Sequence, residues 1–253
     1  MLKVRDLSLG YGGAPVLSDV DLDVRDGEFA SLVGPSGSGK SSLLRAVTGL
    51  HAPDGGEVHL DVERTQVGFL FQDDALLPWR SVRHNAALGL MIRGMGKKEA
   101  YAEGETWLER LGVEGFGDRY PRQLSGGQRK RVALAQVLAL QPRLLLMDEP
   151  FASLDAIVRH RVTEDLLQFV ERESISVLLV THDLEEALSL SDRVHLLTQG
   201  SHAHIHDSYD VELPRPRDPV EARTDSSFGP LLRRLWNDLA AVSGPAAQQQ
   251  VDA

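Results

Sequence analysis

The sequence predicts an α/β protein built on a parallel sheet, with an antiparallel β portion at its N-terminus and an inserted helical subdomain. Beyond residue 142, short apolar strands alternate with helical segments, the pattern that yields parallel strands covered on both faces. A Gly-rich loop joins the apolar run FASLV to SSLLRAVTGL, a segment with helical spacing. Between about residues 76 and 141 the character is helical instead, while the opening residues read as strands.

LKVRDLSLGY and VLSDVDLDV open the chain, and the alternation of apolar and polar residues in the second predicts a sheet with one solvated face. GEFASLVG leads into the Gly-rich loop. In the helical stretch, MIRGMGKKEAYAEGETWLERLG and GGQRKRVALAQVLAL carry apolar positions three and four apart, and Pro142 marks the end of the second. LLLMDEP then opens with a continuous apolar run, as expected of a strand buried on both faces. A helix over about 155–172, the strand ISVLLVTHD, a helix near 183–190 and the strand RVHLLTQG follow in turn. From about Asp207, three prolines (Pro214, Pro216, Pro219) among many charges predict an edge strand and a linker. FGPLLRRLWNDLAAV has helical spacing, and GPAAQQQVDA reads as a frayed tail. The expected division is a main unit over residues 1–206, with about 76–141 inserted, and a C-terminal extension over 207–253.

Composition narrows the class of function. The 253 residues contain no cysteine, which excludes disulfides and cysteine-ligated metals. With 27 basic and 37 acidic residues the net charge is −10, so bulk attraction to nucleic acid or anionic lipid is not expected, and no nucleic-acid partner is predicted. The run Arg129-Lys130-Arg131 reads as a solvated helix face. No basic region followed by an apolar stretch opens the chain, so no signal peptide is expected. No apolar run approaches the roughly 20 residues a membrane-spanning helix needs, so work at a membrane would require another chain as anchor.

Gly34-Pro35-Ser36-Gly37-Ser38-Gly39-Lys40-Ser41, followed by Ser42, matches the P-loop pattern and sits between a strand and a helix as that motif requires. Its glycines allow backbone N–H groups to close around phosphate oxygens, and the helix N-terminus adds favourable partial charge. Lys40 is expected to bridge the β- and γ-phosphates of ATP and Ser41 to ligate Mg²⁺. Asp148, at the end of LLLM, is placed to hold Mg²⁺ through water, and Glu149 to act as general base on the attacking water. Leu124-Ser125-Gly126-Gly127-Gln128 opens a helix with two adjacent glycines, a second anion site or simply a Ser-capped helix start.

Together these residues resemble the ABC ATPase family of P-loop NTPases, in which LSGGQ is the signature motif, with the match running over about residues 1–206. The resemblance implies that Tyr11 stacks on adenine and that Gln72 is the Q-loop glutamine, near both the catalytic water and Mg²⁺. It also implies that Ser153, Leu154 and Asp155 form the D-loop and that His182 contacts the γ-phosphate. Two copies of the chain are then expected to pair head to tail, each LSGGQ closing on the ATP held by the other. The implied partners are an integral membrane permease and, indirectly, a solute-binding protein, with this chain peripheral on the cytoplasmic face of the cell membrane.

The segment FLFQDDALLPWR resembles the importers of nitrate, sulfonates, taurine and related small compounds, as does LPRPRD at 213–218. Between Asp61 and Val67 the chain is several residues shorter than is common in that group. Leu76, Leu77, Pro78 and Trp79 form a short apolar run expected to face outward and meet the permease. His202, His204 and His206 are spaced to lie on one strand face, a tolerated edge strand or a metal site. The competing readings are the motor of an exporter, a soluble non-transport ABC ATPase, or a P-loop kinase or GTPase. The last would not need LSGGQ, and no guanine-binding NKxD motif is present.

Overall fold

A computed structural model describes residues 1–152 and 154–243 of the chain. The strands are β1 (Leu2–Tyr11), β2 (Ala14–Val24), β3 (Phe29–Val33), β4 (Gly55–Leu60), β5 (Val67–Leu70), β6 (Leu144–Asp148), β7 (Ser176–Val180), β8 (Arg193–Leu197) and β9 (Ile205–Asp210). The helices are α1 (Lys40–Thr48), α2 (Val82–Ile92), α3 (Lys97–Arg110), α4 (Gly126–Leu138), α5 (Ala156–Arg172), α6 (Leu184–Leu190) and α7 (Phe228–Val242).

The strands divide into two sheets. β2, β1 and β4 form an antiparallel sheet in that order. The β1–β2 hairpin closes through Gly12 and Gly13 alone, both at positive φ (59° and 84°), the requirement of a two-residue turn that matches strand twist. The larger sheet has the order β5-β6-β7-β3-β8-β9, parallel except for β9 at its edge.

Every residue of β3, β6 and β7 is buried, which is why these segments read as continuous apolar runs. Their side chains still alternate between two cores. Phe29, Leu145, Met147, Val177 and Leu179 pack with residues of α2, α3, α4 and α5. Ala30, Leu32, Leu144, Leu146, Leu178 and Val180 face the opposite core, shared with α1 and the antiparallel sheet. The period of two along each strand thus builds both layers at once.

The chain leaves β5, forms α2, α3 and α4, and returns into β6, the parallel neighbour of β5. A third core joins α7 to α6, β8 and β9 through Phe228 and Leu235, with Tyr209 Oη donating to Asp238 at 2.7 Å. The residues beyond 207 therefore fold back on the sheet edge, while the tail expected over 244–253 lies outside the described residues. The edge strand begins at Ile205, slightly before the expected start.

One expectation is overturned here. His202, His204 and His206 do not share a strand face: His202 lies in a turn at φ 66°, His204 precedes the strand, and only His206 is on β9. His202 Nδ1 stands 2.8 Å from Ser18 Oγ instead. A turn interrupts the alternation that the i, i+2 spacing presupposes.

Among the described residues no helix is long and apolar enough to cross a membrane.

Candidate functional site

The buried strand β3 delivers the chain to Gly34, and α1 starts at Lys40, so the P-loop is held between two rigid elements. Gly39 caps α1 in the left-handed region at φ 98°, and a Cβ there would lie 2.7 Å from Leu17 Cδ2. Only glycine serves, on both conformational and steric grounds. Gly34, Gly37 and Gly39 separate Pro35, Ser36 and Ser38 along the loop. Ser38 is buried, and its Oγ has no hydrogen-bond partner.

Lys40 is also buried. Its Nζ donates to the carbonyls of Gly34 and Pro35, each at 2.8 Å. Burial pushes the Lys40 pKa below the usual lysine range, and the Glu149 and Asp148 carboxylates oppose that shift. Ser41 Oγ donates to Asp148 Oδ1 at 3.0 Å, across from the end of β6. Burial raises the Asp148 carboxyl, an effect the Ser41 hydrogen bond partly offsets.

Glu149 follows with a left-handed backbone, φ 43°, unusual for a residue with a long side chain. Its N–H donates to Val180 O at 2.8 Å, which ties the turn after β6 to the end of β7. His182, two residues beyond β7, brings Nδ1 to 3.2 Å from Glu149 Oε2. Asp183 accepts from the N–H groups of Glu185 and Glu186 at 3.0 Å and so fixes the start of α6 behind His182.

A cavity of about 410 Å³ collects Ser36, Gly37, Ser38, Gly39, Lys40, Ser41 and Ser42 with Gln72 and Glu149. With Val16 also in the lining, it joins residues from four separated parts of the chain. The donor set fits a magnesium triphosphate: an orphaned buried hydroxyl and a cation face the loop, and a hydroxyl adjoins a carboxylate where a hard cation takes oxygen ligands. Tyr11 stands at the rim, its Oη donating to Ser42 Oγ at 3.2 Å and its ring 4.6 Å from that of His51.

The LSGGQ segment is not part of this cavity's lining. Ser125 caps α4, its Oγ accepting from Gln128 N at 3.3 Å while Gln128 Oε1 accepts from Ser125 N at 2.9 Å. Leu124 is buried beneath, and Gly126 opens the helix. A Cβ on Gly127 would lie 2.4 Å from Val158 Cγ1, so α4 meets the first turn of α5 where only glycine fits. Asp155 caps α5 by accepting from Val158 N at 3.0 Å, and Leu154 is buried beside it. Ser153 lies outside the described residues.

The apolar run after Gln72 divides. Leu76 packs against the core, Leu77 is half-buried, and Pro78 and Trp79 are exposed, Trp79 at 68%. The expectation of a wholly outward run is corrected: one end anchors the loop so that the other can project.

The basic run at 129–131 is not a solvated face. Lys130 is buried against the carbonyls of Phe71 and Gln72, and Arg131 pairs with Asp165 at 2.9 Å. Helical spacing was the signal that locates it: Lys130 shares a face with Leu134 and Leu138, both buried. His51 also joins the site unannounced, since nothing in GLHAP connects it to Tyr11.

A β-sheet core with a P-loop at the end of the central strand β3, and two carboxylates at the end of β6 one strand beyond its neighbour β7, defines a P-loop nucleotide-binding protein. Residues 17–152 match the ABC transporter family, and the chain belongs to it. The taurine import ATP-binding protein of Pseudomonas putida is 45% identical over 204 residues, 78% of each chain. The nitrate import ATP-binding protein of Synechococcus elongatus is 40% identical over 237 residues, 91% of this chain. This chain spans only 36% of that relative's length, and 62% of the sulfate/thiosulfate import ATP-binding protein of Caulobacter vibrioides. Among solved structures, a dimeric ATP-binding cassette in a post-hydrolysis state, bound to ADP and Pi, superposes with a TM-score of 0.75 at 30% identity. That likeness covers 85% of this chain and all of the other.

Proposed function

We propose that this chain is the ATP-hydrolysing subunit of an importer for a small organic or oxyanion solute, acting through a separate membrane permease. The observation that carries the ATPase reading is the single cavity uniting the P-loop, Gln72 and Glu149, with Asp148 3.0 Å from Ser41. The import reading draws on relatives named for taurine and nitrate import. These names favour import over the motor of an exporter.

In this reading the P-loop N–H groups and Lys40 hold the β- and γ-phosphates, and Tyr11 stacks on the adenine. Ser41, Asp148 and Gln72 hold Mg²⁺, which supplies charge neutralisation at the phosphate being transferred. Glu149 accepts a proton from the attacking water, its carboxylate positioned by the turn bonded to Val180. His182, beside Glu149, reaches the γ-phosphate. Such catalysis is positioning plus electrostatics, and the Glu149 N–H bonded to Val180 O holds the base in its left-handed backbone conformation.

The LSGGQ segment, outside its own chain's cavity, serves the ATP of a second copy in a head-to-tail pair, with the D-loop (Ser153, Leu154, Asp155) beside the contact. Residues 1–206 form the ATP-binding unit, the helices between β5 and β6 its inserted subdomain, and 207–253 an extension. Pro78 and Trp79 meet the permease, which holds this chain on the cytoplasmic face of the membrane; a solute-binding protein acts only through the permease. The direct test is phosphate release by the purified chain with Mg-ATP and with ATP plus chelator. Turnover that needs the divalent cation is expected, and none under either condition would remove the ATPase reading.

A further inference from the structure

The helix that begins within LSGGQ carries a buried cation that the proposed hydrolysis does not use. The Lys130 side chain is 1% exposed, and its Nζ donates to Gln72 O at 3.1 Å and Phe71 O at 3.3 Å. It stands 3.5 Å from Asp74 Oδ1. Arg129, next to it, donates from Nε to Asp74 Oδ2 at 3.1 Å and from Nη1 to Leu124 O at 2.9 Å. The loop 71–74 is therefore tied to α4 and, through Arg129, to the first residue of LSGGQ.

Packing alone does not explain Lys130. Its face of α4 continues through Leu134 and Leu138, where a leucine or methionine would be accommodated without desolvating a charge. A buried ammonium persists only where carbonyls and a carboxylate replace its water, and the loop bearing Gln72 provides both. Burial pushes the Lys130 pKa down, and Asp74 opposes that shift.

We propose, on the reading of Gln72 given above, that Lys130 is a positioning residue: with Asp74 it locks the backbone of Gln72 to the helix carrying LSGGQ. Gln72 faces the nucleotide of its own chain, whereas LSGGQ faces that of the partner. A rigid tie between them makes the loop and the signature helix move as one body, so engagement at one nucleotide sets the geometry at the other.

A double-mutant cycle in the full chain tests this. Lys130→Met keeps an unbranched apolar stem and removes the ammonium. The measurements are affinity for a fluorescent ATP analogue and kcat with Mg-ATP, in the parent, Lys130→Met, Gln72→Ala and the double variant. The expected result for Lys130→Met is affinity within about threefold of the parent and kcat lower by about 10- to 100-fold, the scale of a misplaced reacting group. In the Gln72→Ala background the same substitution should cost less than about twofold, since both act through one side chain. Parental kcat in Lys130→Met, or losses that simply multiply in the double variant, would overturn the proposal. Gln72→Ala at parental turnover would instead remove the reading of Gln72 and the proposal with it. Should circular dichroism show Lys130→Met unfolded, Asp74→Asn carries the same cycle, with about a 3- to 10-fold loss expected that vanishes beside Gln72→Ala. A loss that persists there overturns the proposal.

Discussion

His182 Nδ1 lies 3.2 Å from Glu149 Oε2, so the residue just after β6 and one two residues beyond β7 meet beside the P-loop cavity. The adjacency of β6 and β7 in the sheet makes this contact possible, and the Glu149 N–H bonded to Val180 O fixes it. Glu149→Gln keeps the shape and removes the base. Its kcat should fall at least about 10²–10⁴-fold, while ATP affinity stays close to the parent's. Single-turnover hydrolysis and equilibrium binding measure the two separately, and turnover near the parental rate would exclude Glu149 as the base.

Lys40→Ala should act on binding. The Nζ held by the Gly34 and Pro35 carbonyls is the buried cation of the P-loop cavity, and charge-assisted hydrogen bonds contribute about 1.5–3 kcal/mol each. ATP affinity is expected to drop by about 10- to 100-fold, read with a fluorescent analogue. Unchanged affinity would mean that the triphosphate binds elsewhere.

Trp79→Ala separates docking from folding. With the ring mostly exposed, thermal stability and basal ATPase rate should stay near parental, because substitutions away from buried features cost within about 0.5 kcal/mol. Capture of the permease should weaken. A large drop in melting temperature with normal permease capture would place Trp79 in the core.

The pH dependence of folding should carry the signature of His195. Burial, with Arg193 nearby, pushes its pKa down to about 4, and its Nδ1 stands 2.7 Å from Ser208 Oγ. The unfolded chain binds a proton near the ordinary histidine value, so this histidine's contribution is complete above that value. It is lost as pH falls through about 4. His195→Gln should abolish a pH-dependent loss on the order of 3 kcal/mol between neutral pH and pH 4. Urea unfolding at several pH values measures it, and parallel curves for parent and variant would contradict the assignment.

Much of the site could be read from contiguous residues. Residues 34–41 and 124–128 carry their chemistry in local backbone conformation, and a strand before and a helix after are visible as changes of period. The alternation along β6 was hidden, because burial on both faces removes the polar partner that reveals period two. The charge of Lys130 suggests solvent, and only the Leu134–Leu138 stripe marks its face as inward. The histidines at 202, 204 and 206 failed for a related reason: i, i+2 spacing means one face only if the strand is unbroken, and a turn intervenes. The split of Leu76 from Trp79 depends on packing against α2–α4, which short-range pattern does not encode.

Light scattering of Glu149→Gln with and without Mg-ATP tests whether the LSGGQ of one copy closes on the ATP of another. Blocked hydrolysis retains the nucleotide that bridges the two chains, so a monomer is expected without nucleotide and a dimer with it. Ser125→Arg, which places a bulky cation at the signature helix cap, should abolish that dimer while leaving ATP bound. A Glu149→Gln chain that binds Mg-ATP yet stays monomeric at high protein concentration would rule out the head-to-tail pair.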